Sequence, residues 1–318
     1  MTMTAMTAHV IGIDLGGTHC RAGIVDAHGY CGSIELQAVE SVRTPAAIVA
    51  LMARLVEALR AEGTHLGAVG VGAPGLVSMA EGRVVQSPHF PEWSDVPLRD
   101  LLAERTGLPV TLENDANAIA VGEGWQGAAR DWREFVTITL GTGIGGGIVM
   151  NGEPVRAESG FAGEIGHLAI AEDGPPCPCG SRGCWERYAS ASGLAHCIRT
   201  TPEVHFAEDP GRITPERLST LAADGDPSAL RVWERFGTYL GIGMASLVNI
   251  LGIERLVIGG GLHRAWKFFR DAALTTLSQR SYLVRRGRIQ VRPSELGERA
   301  GILGAARLAL AAVARGDT

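Results

Sequence analysis

Lysine is almost absent from this chain: Lys267 is the only lysine among 29 basic residues, and the other 28 are arginines. A phosphate-binding P-loop is therefore excluded, because that motif places a lysine directly after its glycines. Long apolar runs are also missing, and none reaches the roughly 18 residues that a membrane-spanning helix needs. The N-terminus has neither the basic segment nor the long apolar core of a secretory leader. These absences predict a cytoplasmic protein that does not enter membranes.

The overall composition is that of a globular enzyme. Its 318 residues favour two domains, and 46% hydrophobic against 20% charged residues is enough for full cores. A formal net charge of -5, without any cluster of basic residues, argues against nucleic acid as a partner. The six cysteines fit a reducing compartment better than a disulfide framework. We therefore expect the partners to be small molecules.

One short segment concentrates side chains that bind metals. The spacing H-x9-C-x-C-x4-C is formed by His167, Cys177, Cys179 and Cys184. Three thiolates and one imidazole complete the tetrahedral shell that zinc prefers, so the pattern predicts a structural zinc with no open position. Glu164 and Glu186 flank the motif and would be held beside the metal. The alternative is a loop with incidental thiols. The surrounding Gly-Pro-Pro, Cys-Gly and Arg-Gly-Cys segments disfavour it, because they are typical of a tightly turned backbone.

The chain also contains an internal repeat. Residues 10–26 and 135–150 each read as a strand, a glycine turn and a second strand, which predicts two β-hairpins. Their tips consist of Gly16, Gly17 and Thr18 in the first copy and of Gly141, Thr142 and Gly143 in the second. Glycine lacks a Cβ, so backbone N–H groups at such tips can approach phosphate oxygens closely. The pair predicts a clamp for one polyphosphate, and the alternative is that both tips are simply tight turns.

The second tip overlaps a dinucleotide-binding pattern. Residues 141–146 match G-x-G-x-x-G, but that motif requires a helix after the glycines. Here residues 147–150 read as extended and lead into Asn151 and Gly152, a pair typical of a hairpin turn. A further strand is therefore expected, and a nicotinamide-binding Rossmann unit is disfavoured.

A carboxylate occurs where a predicted strand ends and a helix starts. The strand covers residues 109–112, and the helix runs from Asn114 and Asp115 to about Gly127. Ligands of open α/β sheets bind at this edge, and helix N-terminal amides favour an ionised carboxylate. Asp115 is therefore a candidate catalytic residue. Asp and Asn are also favoured helix caps, so the segment alone leaves both roles open.

Alternating helical and extended segments complete a predicted α/β fold. Further helices are expected at 45–62, 97–105, 190–199, 215–224, 227–251, 262–279 and 299–313, and further strands at 66–72, 254–258 and 288–292. The strand at 254–258 ends in a run of glycines that includes Gly260, where a base and ribose could lie against bare backbone.

The same pattern predicts two domains. We expect a smaller first domain at 1–118 and a larger second domain at 119–298 that carries the zinc loop. The hinge between them is expected near residues 115–130. The C-terminal helix, at about 299–318, is expected to pack on the first domain.

Five motifs, taken in order, resemble the ROK family of sugar kinases. They are Asp14-Leu-Gly-Gly-Thr18, Asn114-Asp115-Ala-Asn117, Leu140-Gly-Thr-Gly-Ile-Gly-Gly-Gly147, Glu164-Ile-Gly-His167 and Cys177-x-Cys179-Gly-x-x-Gly-Cys184-x-Glu186. The match covers nearly the whole chain, and the cysteine motif is its most specific part. The resemblance implies the actin-like, hexokinase-like (ribonuclease H-like) ATPase fold, in which two α/β domains close a cleft over ATP and a hexose. One departure is His19, where the family often has a lysine.

The resemblance also implies a role for each matched position, and Asp115 would be the general base that accepts the proton of the sugar 6-hydroxyl. The sugar would be bound by Asn114, Asp115, Glu164, His167 and Glu186. The phosphates of ATP would lie on Gly16, Gly17, Thr18, Gly141, Thr142 and Gly143, with Gly260 beside the adenosine and Asp14 orienting Mg²⁺ through water. Structural zinc would be held by His167, Cys177, Cys179 and Cys184. A homodimer, or a dimer of such dimers, is the implied assembly.

Within the family, residues 70–75 and 114–127 look most like the glucokinases, so ATP-dependent conversion of glucose to glucose 6-phosphate is the expected reaction. Kinases for N-acetylmannosamine, N-acetylglucosamine, fructose and allose share the same motifs and stay open as alternatives. Sugar-responsive repressors of the family carry a DNA-binding helix-turn-helix before the first glycine loop, which begins here at Asp14 and leaves no room for one. The last alternative is a noncatalytic sugar sensor, or a repressor of the family that lacks its DNA-binding domain.

Overall fold

The computed structural model describes residues 9–39, 42–61, 63–283 and 287–316, so residue 62, the predicted end of the first helix, lies outside them. The chain divides into two compact units. The first contains the described residues up to Glu134, the segment Gly147–Gly163 and the residues from Glu295 onward. The second contains Phe135–Gly146 and Glu164–Ser294. Each unit is therefore assembled from segments that are separated in the sequence.

A five-stranded sheet forms the centre of the first unit. Its strands are β1 (His9–Leu15), β2 (His19–Val25), β3 (Cys31–Ala38), β4 (Leu66–Ala73) and β8 (Val110–Asn114). They lie in the order β3-β2-β1-β4-β8, with β1, β2 and β3 antiparallel and β1, β4 and β8 parallel. A separate small sheet consists of β5 (Leu76–Ser78), β6 (Arg83–Gln86) and β7 (Ser94–Val96). The sequence patterns did not predict this small sheet, because its strands are too short to show a period.

Helices cover both faces of the large sheet. The helices of the first unit are α1 (Pro45–Arg60), α2 (Leu98–Thr106), α3 (Asp115–Gln126) and α8 (Ala300–Arg315). Side chains of α1 and α2 share one hydrophobic cluster with Ile11 and Ile13 of β1, whereas α8 shares another with Val10. Successive residues of a strand point to opposite faces, so α8 covers the face opposite to α1 and α2.

Two strand glycines allow α8 to lie close to the sheet. A Cβ at Gly12 of β1 would overlap the carbonyl oxygen of Ile302, and a Cβ at Gly70 of β4 would overlap that of Ala305. Any larger residue at these positions would push the helix away from the strands. The C-terminal helix thus packs directly on the sheet of the first unit.

The structure corrects the division that was predicted between residues 118 and 119. That point lies inside α3, and all of α3 belongs to the first unit, where it packs along α8. The contact is close, because a Cβ at Gly122 would overlap the carbonyl oxygen of Ala300. Helix α3 therefore occupies most of the segment where the hinge was expected, and the chain first leaves the unit after Glu134.

The second sheet consists of β9 (Phe135–Leu140), β10 (Ile144–Met150), β11 (Glu153–Pro154), β12 (Arg255–Gly259) and β13 (Gln290–Pro293). Its order is β11-β10-β9-β12-β13. Both predicted hairpins are confirmed, since β1 pairs with β2 and β9 lies next to β10. The strand that was expected after Asn151 and Gly152 is β11, and both turn residues have a positive φ, as a tight hairpin turn requires.

The helices of the second unit are α4 (Ala191–Thr200), α5 (Pro215–Ala223), α6 (Pro227–Leu251) and α7 (Trp266–Arg280). The longest, α6, begins where the Asp226 side chain accepts hydrogen bonds from the N–H groups of Ser228 and Ala229, and it ends at the left-handed Gly252. It packs along α7. Among the helices of the described residues, none is both long enough and apolar enough to cross a membrane.

Candidate active site

The carboxyl ends of three parallel strands bring acidic residues together in the first unit. Asp14 of β1 is paired with Gly72 of β4, and Gly72 is paired in turn with Glu113 of β8. Asn114 ends β8, and Asp115 starts α3. Because the three strands are parallel, these residues share one edge of the sheet, which is where ligands bind in open α/β sheets.

Asn114 is the cap of helix α3. Its Oδ1 accepts hydrogen bonds from the N–H of Ala116 at 2.9 Å and from the N–H of Asn117 at 3.1 Å. Its Nδ2 donates to the carbonyl oxygen of Gly75 at 3.0 Å. The capping role, which the sequence left open for Asp115, is thus filled by its neighbour. Asp115 is the first helical residue, and its Oδ1 accepts from the N–H of Ala116 at 2.9 Å.

The Asp14 carboxyl group has an unusual electrostatic environment. Burial raises its pKa from the ordinary 3.8 to about 7, and the negative charge of Asp115 adds to the rise, while Arg21 opposes it. The side chain lies against Gly301 in the first turn of α8, where a Cβ would come within 2.6 Å of Asp14 Cγ. Gly301 therefore leaves the space that this carboxyl group needs, and Asp14 can change its charge near neutral pH.

We expect the raised pKa of Asp14 to make the protein, without added Mg²⁺ or nucleotide, less stable as the pH rises from about 4 to about 7. The unfolded chain loses the Asp14 proton near pH 3.8, whereas the folded chain keeps it until about pH 7. The stabilisation is therefore complete below the unfolded pKa and is lost as the pH passes the folded pKa. Asp14→Asn cannot ionise, so its stability relative to the wild type should increase over that range and then level off. Urea unfolding of both proteins from pH 4 to pH 8 measures this, and a constant difference would contradict the raised pKa.

The first glycine tip is a tight turn between β1 and β2. The N–H of Gly16 donates to the carbonyl oxygen of His19 at 2.8 Å and closes the turn. Gly17 faces the ring of His89, since a Cβ there would lie 2.6 Å from His89 Nδ1. The Thr18 side chain is exposed and available to a ligand.

The second glycine tip, between β9 and β10, is also closed by a backbone hydrogen bond, but over a shorter span. The N–H of Gly141 donates to the carbonyl oxygen of Gly143 at 3.0 Å, and Thr142 is exposed. Gly260 packs against the end of β9, with φ 76° and with so little room that a Cβ would lie 2.5 Å from Leu140 N. Only glycine fits this position, because of its positive φ and the close approach of the Leu140 backbone. The start of α4 also touches the tip, through a 2.9 Å hydrogen bond from Ala191 N–H to the Gly141 carbonyl oxygen.

Four possible metal ligands come together in the second unit. One ligand atom from each of His167, Cys177, Cys179 and Cys184 lies within 4.8 Å of the others. Cys179 Sγ is 3.7 Å from Cys184 Sγ, and Cys177 Sγ is 3.7 Å from His167 Nδ1. Bonds of about 2.0–2.3 Å to a tetrahedral zinc require ligand atoms about 3.4–3.8 Å apart. The cluster can therefore hold a metal ion, and its donor set suits zinc.

Turn glycines shape the loop that carries the thiols. Gly180, with φ 93°, closes a turn in which its N–H donates to the carbonyl oxygen of Cys177 at 3.0 Å. Gly183, with φ 68°, lies against Ala171, where a Cβ would overlap the carbonyl oxygen. The backbone N–H of Ser181 lowers the pKa of Cys179, which favours the thiolate that a metal binds. The glycines of the motif are thus required by the backbone that presents the ligands.

Two carboxylates lie beside the His167 ring. Glu164 Oε2 is 3.9 Å from His167 Nε2, and Glu186 Oε1 is 4.0 Å from Nδ1 and 3.2 Å from Cys177 Sγ. Desolvation raises the pKa of Glu164, and His167 opposes that rise. Glu186 also reaches the second glycine tip, since a Cβ at Gly143 would lie 2.5 Å from its Oε2. The Glu186 carboxylate thus lies next to both the cysteine-histidine cluster and the glycine tip.

The structure therefore groups the predicted site residues into two sets. The first unit holds Asp14, Gly16, Gly17, Thr18, Asn114 and Asp115, and the second holds Gly141, Thr142, Gly143, Glu164, His167, Cys177, Cys179, Cys184, Glu186 and Gly260. Two features of this region are not predicted by the sequence patterns: the contact of Gly301 with Asp14, and the ion pair of Glu113 with Arg156. Glu113 is visible in the sequence as a carboxylate directly before Asn114. No local spacing, however, links Glu113 to Arg156.

Comparison with known proteins places these features in a family. The ROK family profile matches residues 10–312. A glucokinase of Streptomyces coelicolor and one of Thermotoga maritima are each 36% identical to this chain, over 321 and 312 residues, and each alignment covers 94% of this chain and 96% of the relative. The crystal structure of a ROK family glucokinase from Streptomyces griseus, in complex with glucose and AMPPNP, is 34% identical, with a TM-score of 0.83 and coverage of 96% of this chain and 100% of that chain. The expected fold class is confirmed by this likeness. The chain belongs to the ROK family and has the actin-like ATPase fold of its sugar kinases.

Proposed function

We propose that this protein transfers the γ-phosphoryl group of ATP to the 6-hydroxyl of a hexose, and that glucose is its preferred substrate. The observation that carries the proposal is the position of Glu186, which contacts the cysteine-histidine cluster on one side and the glycine tip at Gly143 on the other. A carboxylate that binds a sugar hydroxyl at this place holds the acceptor beside the loop that cradles the donor phosphates. The relatives at 36% identity, both glucokinases, support glucose as the acceptor.

The chemistry of each set of residues fits a role in phosphoryl transfer. The reaction needs positioning of the two substrates, neutralisation of phosphate charge and a base for the attacking hydroxyl. Asp115 is proposed as the base, because its carboxylate stands at the ligand-binding edge of the sheet and the cap of α3 is already supplied by Asn114. Glu164, Glu186 and His167 are proposed to bind sugar hydroxyls, since each carboxylate can accept two hydroxyl protons. Asn114 would donate to a sugar hydroxyl the second hydrogen of its amide group, since the first is bound to the carbonyl oxygen of Gly75.

The cofactors are assigned from the same residues. Mg²⁺ bound with ATP would neutralise the charge that develops on the phosphates, and Asp14 is proposed to face it through water. Zinc is proposed for the cysteine-histidine cluster, where it would fix the orientation of His167 and the loop that carries Glu186. His167 would then bind zinc through Nδ1, which faces Cys177, and a sugar hydroxyl through Nε2. A homodimer and a cytoplasmic location stay predictions of the sequence.

A coupled kinase assay across a hexose panel tests the proposal. With ATP and Mg²⁺, we expect glucose to give a kcat/KM at least tenfold above those of N-acetylmannosamine, N-acetylglucosamine, fructose and allose. A tenfold preference for one of the other sugars would overturn the glucose assignment and leave the kinase in place. Sugar binding without any phosphorylation would show a noncatalytic sensor, and ATP hydrolysis measured with and without sugar separates the two cases.

The role of Glu186 gives a separate prediction. Glu186→Gln keeps the size of the side chain but removes the charge that binds hydroxyl protons, so KM for glucose should rise about tenfold or more while KM for ATP stays within about twofold. Steady-state kinetics with each substrate varied in turn provide the measurement. Glu172→Gln is the matched control, because Glu172 is an exposed glutamate of the same unit. An equal rise in both KM values would indicate a general loosening of the loop instead.

A further inference from the structure

One partner of a buried ion pair lies two residues before the proposed base in the sequence. Arg156 Nε donates to Glu113 Oε2 at 2.6 Å, and the two side chains are only 22% and 4% exposed. Glu113 belongs to β8, two residues before Asp115. Arg156 follows β11 in the segment Gly147–Gly163 of the same unit. The pair thus connects the strand that ends at the base to a segment 43 residues further along the chain.

The second oxygen of Glu113 organises the start of α3. Its Oε1 accepts hydrogen bonds from the backbone N–H of Asn114 at 3.0 Å and from Asn117 Nδ2 at 3.1 Å. These three contacts of the carboxylate, including that of Arg156, all come from donors, so both of its oxygens act as acceptors. Asn114 is thereby held in the orientation in which its side chain caps α3, with Asp115 as the next residue. A shift of Glu113 would be transmitted to both.

Arg156 also anchors a loop through its backbone. The carbonyl oxygen of Arg156 accepts from the N–H of Ala162 at 3.2 Å and closes the loop formed by residues 156–162. Gly160, with φ 83°, turns the chain inside this loop. The loop ends just before Glu164, which is one of the proposed sugar-binding carboxylates. The ion pair therefore fixes the base of the segment that leads into that residue.

We propose that Arg156 and Glu113 are a positioning pair for the sugar-phosphorylation reaction. Glu113 orients Asn114 and Asp115, and Arg156 holds Glu113 in place and anchors the loop that leads to Glu164. The inference rests on the proposed function, and neither residue touches the reacting atoms. A misplacement of about 1 Å at a reacting group can cost about 100-fold in rate, so a pair that controls the backbone beside the base has a large kinetic effect.

The test compares three variants of the full-length enzyme with a matched control. In Arg156→Met, we expect kcat to fall about 10- to 100-fold and KM for glucose to rise about fivefold or more, while KM for ATP stays within about twofold. Arg156→Lys keeps the charge but offers a less directional donor, so it should recover part of the loss. Glu113→Gln replaces one carboxylate oxygen by an NH2 group, which donates and cannot accept, and it removes the charge that pairs with Arg156. At least one of the donors that face Glu113 then loses its acceptor, so the effect should resemble that of Arg156→Met. Arg60→Met is the control, because Arg60 forms a more exposed pair with Glu57 at 2.7 Å in the same unit.

The double variant gives the sharpest comparison. If the two side chains act as one unit, adding Arg156→Met to Glu113→Gln should lower kcat by less than about threefold further. A purely structural pair would lower the melting temperature of the variants and leave kcat and both KM values of the folded enzyme within about twofold of the wild type, and this result would overturn the inference. If Arg156→Met does not fold, Arg156→Lys decides in the same way, with at least a threefold loss of kcat expected.

The failure of the proposed function would look different. A wild-type protein that phosphorylates no sugar of the panel refutes the kinase assignment before any variant is compared. A wild-type kinase whose Arg156 variants keep normal constants refutes only the positioning pair.

Discussion

Asp115→Asn should lower kcat by roughly 10²–10⁴-fold while the affinity for glucose stays within a few-fold of the wild type. Asparagine has nearly the same shape as aspartate, and its amide oxygen can still accept the hydrogen bond from the N–H of Ala116. It cannot take up the proton of the attacking hydroxyl at neutral pH, so the loss falls on the chemical step. The coupled assay gives kcat, and calorimetric titration with glucose gives the affinity.

The helix itself should not depend on Asp115. Asn114 provides the cap, and its backbone N–H donates a hydrogen bond to the Glu113 carboxylate. The melting temperature of the variant should therefore stay close to that of the wild type. Asp100→Asn is a matched control, since Asp100 also lies in the first turn of a helix in the same unit but on the exposed surface. Near-normal turnover in Asp115→Asn would show that this carboxylate supports only the local structure.

Features that depend on neighbours in the sequence were predictable from the residues alone. Each glycine tip is flanked by two strands of alternating or apolar residues, and the hairpin follows from that local pattern. The metal ligands lie within one loop of 18 residues, from His167 to Cys184, so their spacing already expresses the geometry. Asp115 could be proposed as a site residue because a strand-to-helix junction is also local. In each case the residues that define the feature are close in the chain.

Features that depend on distant contacts were not predictable in this way. The pair of Glu113 and Arg156 joins segments 43 residues apart, and the space that Gly301 leaves for Asp14 comes from the far end of the chain. The division of the chain was misplaced for the same reason. Helix α3 looks like a connection in the sequence, but its close packing against α8 makes it part of the first unit.

Removal of one thiol from the cysteine-histidine cluster should have the second large effect. We expect the purified wild-type protein to contain about one zinc per chain, because three thiolates and one imidazole complete its shell. Cys179→Ser should reduce the zinc content to a small fraction of that value. Cys179 is the most suitable position, because its side chain is exposed and its replacement costs little packing, whereas Cys177 and Cys184 are buried. Metal analysis of protein prepared without chelators provides the measurement.

Loss of the zinc should weaken the binding of the sugar more than the binding of the nucleotide. Without the metal, His167 and the turn that carries Glu186 lose their common anchor, so the affinity for glucose should fall about 10- to 100-fold. Gly260 and the strand β9 that it packs against do not depend on the thiols, so the affinity for ATP should change much less. Cys31→Ser is the control, because Cys31 lies in the first unit and is not part of the cluster. A fully active wild-type protein that contains no zinc would overturn the assignment, whereas a zinc-free Cys179→Ser protein with normal glucose affinity would separate the metal from the sugar site.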